Sequence, residues 1–215
     1  MRSTVAFFDI DNTILDTSSG KLIIKYSYQN GLIPHSKYIV NMLIAFLHGT
    51  GLLNTEYVIN KWAMKSKGLP EKMLIDYSKG CFNDVIIHHI RGSAIEEINS
   101  LQNVRTVLLS ASLSYVCYPI GEYLKIDDIL CTELDAQDGL LTGRLMGKYC
   151  YGREKLNRVE EFCKTNGFTL DDSSYYADSF ADIYVLERVG TPICVTPDKR
   201  LRREALKRGW KIYDW

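Results

Sequence analysis

The sequence predicts an α/β fold, a parallel sheet with helices on both faces and an all-helical insertion behind its first strand. Three observations carry this expectation. Short apolar runs alternate with helix-length amphipathic segments, the pattern of strands joined by helical crossovers. Each apolar run ends abruptly in acidic or hydroxyl residues, as strands do when their carboxyl ends open into a ligand crevice. The stretch from about Thr17 to Ile90 shows helical spacing and no convincing strand.

Taken in order, Thr4 to Phe8 reads as a buried strand running into Asp9-Ile10-Asp11-Asn12-Thr13. The helical stretch is punctuated by Gly31-Leu32-Ile33-Pro34, Gly49-Thr50-Gly51 and Gly68-Leu69-Pro70. Its longest apolar run, Tyr38 to Leu47, falls short of the ~17–25 residues that span a bilayer and reads as a core or lid helix. Ser93-Ala94-Ile95-Glu96 has capping-box spacing at a helix start. Val104 to Leu109 is the second strand, followed by Ser110, with Ala111 and Ser112 expected to open a helix and Ser112 to cap it. Leu134–Gln137 and Leu140–Gly143 flank Asp138-Gly139 and predict a β-hairpin on a type I′ turn. Glu154 to Asn166 is an amphipathic helix stopped by Gly167. Tyr175 to Ala177 is a strand ending in Asp178, and Ser179 with Asp182 again has capping-box spacing. Pro192 to Val195 is the last strand of this pattern, and the helix from Asp198 to Arg208 stops at Gly209.

Composition narrows the function. The 215 residues are 46% hydrophobic and 24% charged, as in ordinary globular proteins. Lys+Arg and Asp+Glu each total 26, so no basic excess points to nucleic acid or to an anionic membrane as partner. The charge is uneven, however. Residues 17–90 hold eight lysines against four acidic residues, a net of +4, with no arginine and all four histidines. The six cysteines are dispersed, without metal-ligand spacing, and the first residues carry no secretory-type apolar run. They read as reduced, mostly buried thiols of a cytoplasmic protein. No Gly-x-Gly-x-x-Gly follows the first strand, which excludes a dinucleotide module. Nothing in the sequence specifies an oligomeric state.

Asp9 and Asp11, two residues apart at a strand end, can address one crevice. Ser110 and the backbone N–H groups after it form a natural phosphate cradle. Taken singly, each has an ordinary structural reading, an Asp in a turn, a Ser at a cap, Lys155 on a solvated surface. The combination is more specific. Asp-x-Asp-x-Thr, then Ser, then Lys, then Asp-x-x-x-Asp, each behind a strand and in this order, resembles the haloacid dehalogenase superfamily. More closely it resembles subfamily IB, the phosphoserine-phosphatase-like branch. The resemblance covers residues 1–16 and 91–215, including Leu108-Leu109-Ser110-Ala111-Ser112, Asp138-Gly139 with Leu141-Thr142-Gly143, and Thr196-Pro197-Asp198 with Gly209-Trp210. Residues 17–90 match only in length and helical character.

The resemblance implies a Rossmann-like catalytic core at 1–16 and 91–215, a helical cap at 17–90, and hydrolysis of a small-molecule phosphomonoester. It implies that Asp9 is the nucleophile, forming an aspartyl phosphate, and that Asp11 is first the general acid and then the base that activates water. Mg²⁺ would be held by Asp9, Asp178 and the backbone carbonyl of Asp11. Ser110, Ala111 and Lys155 would bind phosphate oxygens, with Lys155 also catalytic. Thr13, counted with the phosphate-binding residues, would order their loop, and Asp182 would orient the lysine from behind. Electrostatics agrees with a metal, because a phosphate dianion among carboxylates is repelled unless cations compensate, and one lysine is too few. Phosphoserine phosphatases use a cap arginine for the substrate carboxylate, and residues 17–90 contain none. Phosphoserine and histidinol phosphate therefore both stay open as substrates. The alternatives are a phosphomutase or phosphotransferase of the same superfamily, which would keep both aspartates, and a non-catalytic phosphate-binding protein.

Overall fold

Alternating side chains of the first strand divide the molecule into its two layers. In the computed structural model, which describes residues 4–49 and 55–215, this strand is β1 (Thr4–Phe8). Four helices follow, α1 (Ser19–Gln29), α2 (His35–Gly49), α3 (Thr55–Lys65) and α4 (Glu71–Asp84). The break expected at Gly49-Thr50-Gly51 lies largely outside the described residues. Then come α5 (Gly92–Ser100), β2 (Val104–Leu113), α6 (Ser114–Leu124), β3 (Asp128–Thr132), β4 (Leu134–Gln137) and β5 (Leu140–Leu145). The chain closes with α7 (Arg153–Asn166), β6 (Ser173–Ala177), α8 (Ile183–Leu186), β7 (Thr191–Val195), α9 (Lys199–Arg208) and β8 (Lys211–Tyr213).

Six of the strands form one parallel sheet in the order β3-β2-β1-β6-β7-β8. Strand β1 is central and apolar on both faces, as a doubly covered parallel strand must be. Ala6 and Phe8 pack with α5 and α6 through Ala94, Ile98, Val116 and Ile120. Val5 and Phe7 pack with α7 and α9 through Val159, Cys163, Leu201 and Ala205. Truncating either phenylalanine to alanine would cost about 3–5 kcal/mol. Phe8 pairs with Leu108 on one side and Tyr176 on the other, which sets the carboxyl ends of β1, β2 and β6 side by side. The six cysteines are buried and free.

Helix stops follow the sequence reading. Gly167 and Gly209 end α7 and α9 in the left-handed conformation, and Asp198 caps α9 by accepting from the N–H groups of Arg200 and Leu201, both at 2.8 Å. The hairpin forms as expected, with Asp138 and Gly139 at φ 51° and 76°.

Two readings are corrected. The capping box at Ser93 does not form. The α5 helix starts two residues earlier, at Gly92, with Arg91 at its N-cap and no side-chain cap. Arg91 is fixed there by other bonds. Its N–H donates to Ile14 O at 2.9 Å, and its guanidinium donates to Trp215 O at 2.6 Å and Leu15 O at 3.4 Å. Of the two readings of the apolar run in α2, core or lid, the core one is excluded, since Ile39, Val40 and Leu43 are exposed.

The helical stretch joins the sheet through two neighbouring strands of backbone. Leu15 faces Ile90 in an antiparallel bridge, Asp16 N–H donates to His89 O at 3.0 Å, and His89 Nδ1 lies 2.7 Å from Asp16 Oδ1. The helices are also stitched to the β4–β5 hairpin. Gly68 N–H donates to Leu141 O at 2.8 Å, Leu141 N–H to Leu69 O at 2.9 Å, and Glu71 N–H to Gly139 O at 2.9 Å. Ala63, Leu134, Leu141 and Tyr115 bury one another at this seam. Gly143 is required there, because a Cβ would lie 2.9 Å from Lys67 Cβ at φ 85°. No helix among the described residues is long and apolar enough to cross a membrane.

Candidate active site

The last ladder bond of β1, Asp9 N–H to Tyr176 O at 2.9 Å, places Asp9 at the mouth of the sheet. Beyond it the chain makes a tight turn over residues 10–14, closed by Leu15 N–H donating to Ile10 O at 2.9 Å. Asn12 takes the left-handed conformation at φ 55°, which asparagine tolerates better than most residues. Thr13 is fully buried in this turn, and its Oγ1 has no hydrogen-bond partner among the described residues.

Lys155 enters from the first turn of α7, behind Gly152 at φ 56°. Its ammonium is buried and bonds to Asp9 Oδ1 at 2.7 Å, Asp182 Oδ1 at 2.7 Å and the Tyr175 hydroxyl at 3.1 Å. Tyr175 in turn donates to Asp182 Oδ1 at 2.9 Å. Asp182 lies one short turn past β6, where Ser179 caps that turn by accepting from Ala181 N–H. The capping box expected there is half formed, since the Asp182 carboxylate goes to Lys155 and Tyr175 instead. Asp178 is held at the end of β6 by the adjoining loop, with Asp198 N–H donating to its carbonyl at 2.8 Å.

Carboxylate oxygens of Asp9, Asp178 and Asp182 all lie within 4.8 Å of one another. Burial pushes the Asp9 carboxyl up to about 7, with Asp182 and Asp11 adding to the effect and Lys155 opposing it. Burial and the Asp9 charge push Asp178 well up too. Burial alone would lower Lys155, but Asp182 and Asp9 outweigh it and hold the ammonium charged. Three carboxyl groups crowd one ammonium, so ionising all of them would leave a buried excess of negative charge. An all-oxygen, hard donor set of this kind fits a divalent cation such as Mg²⁺.

Asp11 faces a different partner. Its carboxylate accepts from Ser19 N–H at 2.8 Å and Ser18 Oγ at 3.2 Å, at the start of α1. Ser110 and Ala111 occupy the adjacent strand end. Here the sequence reading is corrected, for Ser112 caps no helix and α6 begins at Ser114 with Leu113 at its N-cap. Strand β2 continues because its backbone still finds partners in β3. Ser110 pairs with Cys131 and Leu113 with Thr132, with the irregularity between them. Ser110 Oγ accepts from Ser112 N–H at 3.1 Å, Thr132 Oγ1 donates to Ala111 O at 2.9 Å, and Ser112 Oγ meets Ser19 Oγ at 2.9 Å. Of the eight lysines in the helical stretch all but Lys21, which is half-buried, are exposed. Tyr175 was not singled out from the sequence, because a tyrosine inside an apolar strand reads as core. Its only signal was its place three residues before Asp178.

Residues 6–187 match the model of the haloacid dehalogenase-like hydrolases. The chain belongs to this family. Among its relatives, an "Inhibition of morphological differentiation protein" of Streptomyces azureus is 33% identical over 99% of this chain and 78% of its own length. The phosphoserine phosphatase SerB1 of Mycobacterium tuberculosis is 27% identical over 99% of this chain and 71% of its own. A crystal structure of a protein of unknown function from Bordetella pertussis Tohama I superposes with a TM-score of 0.87, at 24% identity over 100% of this chain and 99% of the other. A phospho-aspartyl intermediate analogue of phosphoserine phosphatase superposes at 0.71, with 22% identity over 97% and 99%. This haloacid dehalogenase-like hydrolase is a phosphoric monoester hydrolase of the phosphoserine-phosphatase-like kind, and its acidic cluster stands at the strand ends where the α/β fold places ligands.

Proposed function

We propose that this hydrolase is a Mg²⁺-dependent phosphatase that cleaves a small phosphomonoester through an aspartyl phosphate on Asp9. The observation that carries the reading is the meeting of Asp9, Lys155, Asp178 and Asp182 in one buried cluster at the sheet's carboxyl edge. An Asp9 oxygen attacks phosphorus, and the bond from phosphorus to the leaving oxygen breaks as Asp11 gives that oxygen a proton. Asp11, now a carboxylate, takes a proton from water, whose oxygen attacks phosphorus and releases Asp9 and inorganic phosphate. Lys155, anchored by Asp182, holds a phosphate oxygen, and Ser110 with the backbone N–H of Ala111 takes another. The Thr13 hydroxyl, without a partner among the described residues, is free to take a hydrogen bond from the phosphate-binding loop when substrate is bound. Asp9, Asp178 and the backbone carbonyl of Asp11 would hold the Mg²⁺, which when bound supplies the positive charge that offsets the phosphoryl group.

Residues 17–90 serve as the cap and 1–16 with 91–215 as the core. The paired backbones at 14–16 and 89–91 support this division. The cap contributes no arginine for a substrate carboxylate, so phosphoserine and histidinol phosphate belong together on the first panel of small phosphomonoesters. The test is phosphate release from p-nitrophenyl phosphate with and without Mg²⁺, followed by that panel. No release with Mg²⁺ present would reject the reading.

A further inference from the structure

Among the described residues, Tyr175 is the neutral group hydrogen-bonded to the buried lysine. Its ring fills the core between β1 and β7, paired beside Phe7 and Pro192, and the residue is fully buried. Phenylalanine would fill nearly the same volume without bringing a hydroxyl out of water, so packing alone does not account for tyrosine. A buried tyrosine hydroxyl needs partners, and here both are charged. It donates to Asp182 Oδ1 at 2.9 Å and accepts from Lys155 Nζ at 3.1 Å.

The consequence is geometric. Lys155 has three N–H groups: two go to Asp9 and Tyr175, and Asp182 pairs with the ammonium at 2.7 Å. The N–H now on Asp9 is the one that would turn to a phosphate oxygen while Tyr175 and Asp182 hold the other side. An ammonium on a flexible four-carbon stem is thereby fixed in direction. Asp182 is fixed in the same way, because its Oδ1 receives both the lysine and the phenol. The sheet sets the phenol's position, whereas the Lys155 and Asp182 side chains can each rotate. We infer that Tyr175 is a positioning residue, whose hydroxyl locks Asp182 and Lys155 into one arrangement and so aims the ammonium at the phosphoryl group.

This inference rests on the proposed role of Lys155 at phosphate, and the experiment separates the two. Phosphate release with Mg²⁺ and inhibition by orthovanadate are measured for wild type, Y175F, D182A and the double variant, with melting temperatures for each. Y175F, which deletes only the hydroxyl, is expected to lower kcat/KM about tenfold, the factor a hydrogen bond to a charged group is commonly worth. The inhibition constant for orthovanadate is expected to rise by a similar factor. In the D182A background the same change is expected to have a clearly smaller effect, less than about threefold, because the hydroxyl can then no longer tie Lys155 to Asp182 and keeps only the lysine. A Y175F enzyme with unchanged kcat/KM and vanadate affinity would overturn the inference while leaving the phosphatase reading intact. So would full additivity with D182A, or a fall in kcat alone with lowered melting temperature, which marks fewer folded molecules. A wild type that releases no phosphate would reject both.

Discussion

The backbone N–H of Ser19 donates to Asp11 Oδ1 across 2.8 Å, so the first residue of α1 holds the second aspartate of the sheet-end turn. A carboxylate at a helix N-terminus also meets the positive end of the helix dipole. The proposed proton carrier is thus coupled to the seating of the helical segment, while the proposed nucleophile is held by the core through Lys155.

This division predicts different defects for the two aspartates. Asp11→Asn leaves Asp9 in place but cannot protonate a leaving group. Its loss on alkyl phosphates is expected to reach about 10²–10⁴-fold, and to be much smaller on p-nitrophenyl phosphate, whose leaving group needs little help. Equal losses on the two substrates would remove Asp11 from the acid role.

Asp9→Asn is expected to lower turnover by more than about a hundredfold on every substrate, whatever the leaving group, because no acyl phosphate can form. Circular dichroism of the variant should match wild type. Retained turnover would reassign the nucleophile.

Metal dependence is the third expectation. A chelator should abolish activity and added Mg²⁺ restore it, and Asp178→Ala should raise the Mg²⁺ concentration needed for half-maximal rate by about tenfold or more. Full activity in excess chelator would reject the metal.

The buried carboxylates also predict a pH dependence of stability in chelator. The Asp9 carboxyl has its folded value raised to about 7, so between about pH 4 and pH 7 the folded state binds more protons than the unfolded one. Stability therefore falls as pH rises through that window and levels off above it. Asp178, raised in the same direction, adds to the slope. Melting temperatures in chelator should drop between about pH 4 and pH 7 for wild type and less for Asp9→Asn. Identical slopes would show that Asp9 does not hold its proton in the fold.

Much of this was legible in the sequence because the signals were local. Gly167 and Gly209 stop their helices by conformation alone, and Asp138-Gly139 dictates its turn. Asp9 and Asp178 could be placed at strand ends for the same reason. What local pattern could not supply was competition between partners. Ser110-Ala111-Ser112 has the composition of a helix start, yet β3 lay alongside and kept the backbone in the ladder. Ser93 had the spacing of a cap, but Arg91 was already bound to Ile14 and Trp215. The triangle of Lys155, Asp182 and Tyr175 joins residues 20 and 7 positions apart in a geometry that only the folded sheet creates.

The seam between the β4–β5 hairpin and the helices bears on how this molecule could be cut down. The hairpin is encoded more than forty residues after α4 ends, yet its outer backbone is paired with residues 68–71. Excising residues 17–90 would therefore uncover the side of Leu134 and Leu141 that packs on Ala63 and Leu74 and leave the carbonyls of Gly139 and Leu141 without their donors. Such an exposed, unpaired edge invites self-association. A minimal catalytic fragment would have to shed the hairpin along with the helices. Conversely, a tilt of the helices would pull on the polypeptide that leads, ten residues after β5 ends, into Lys155.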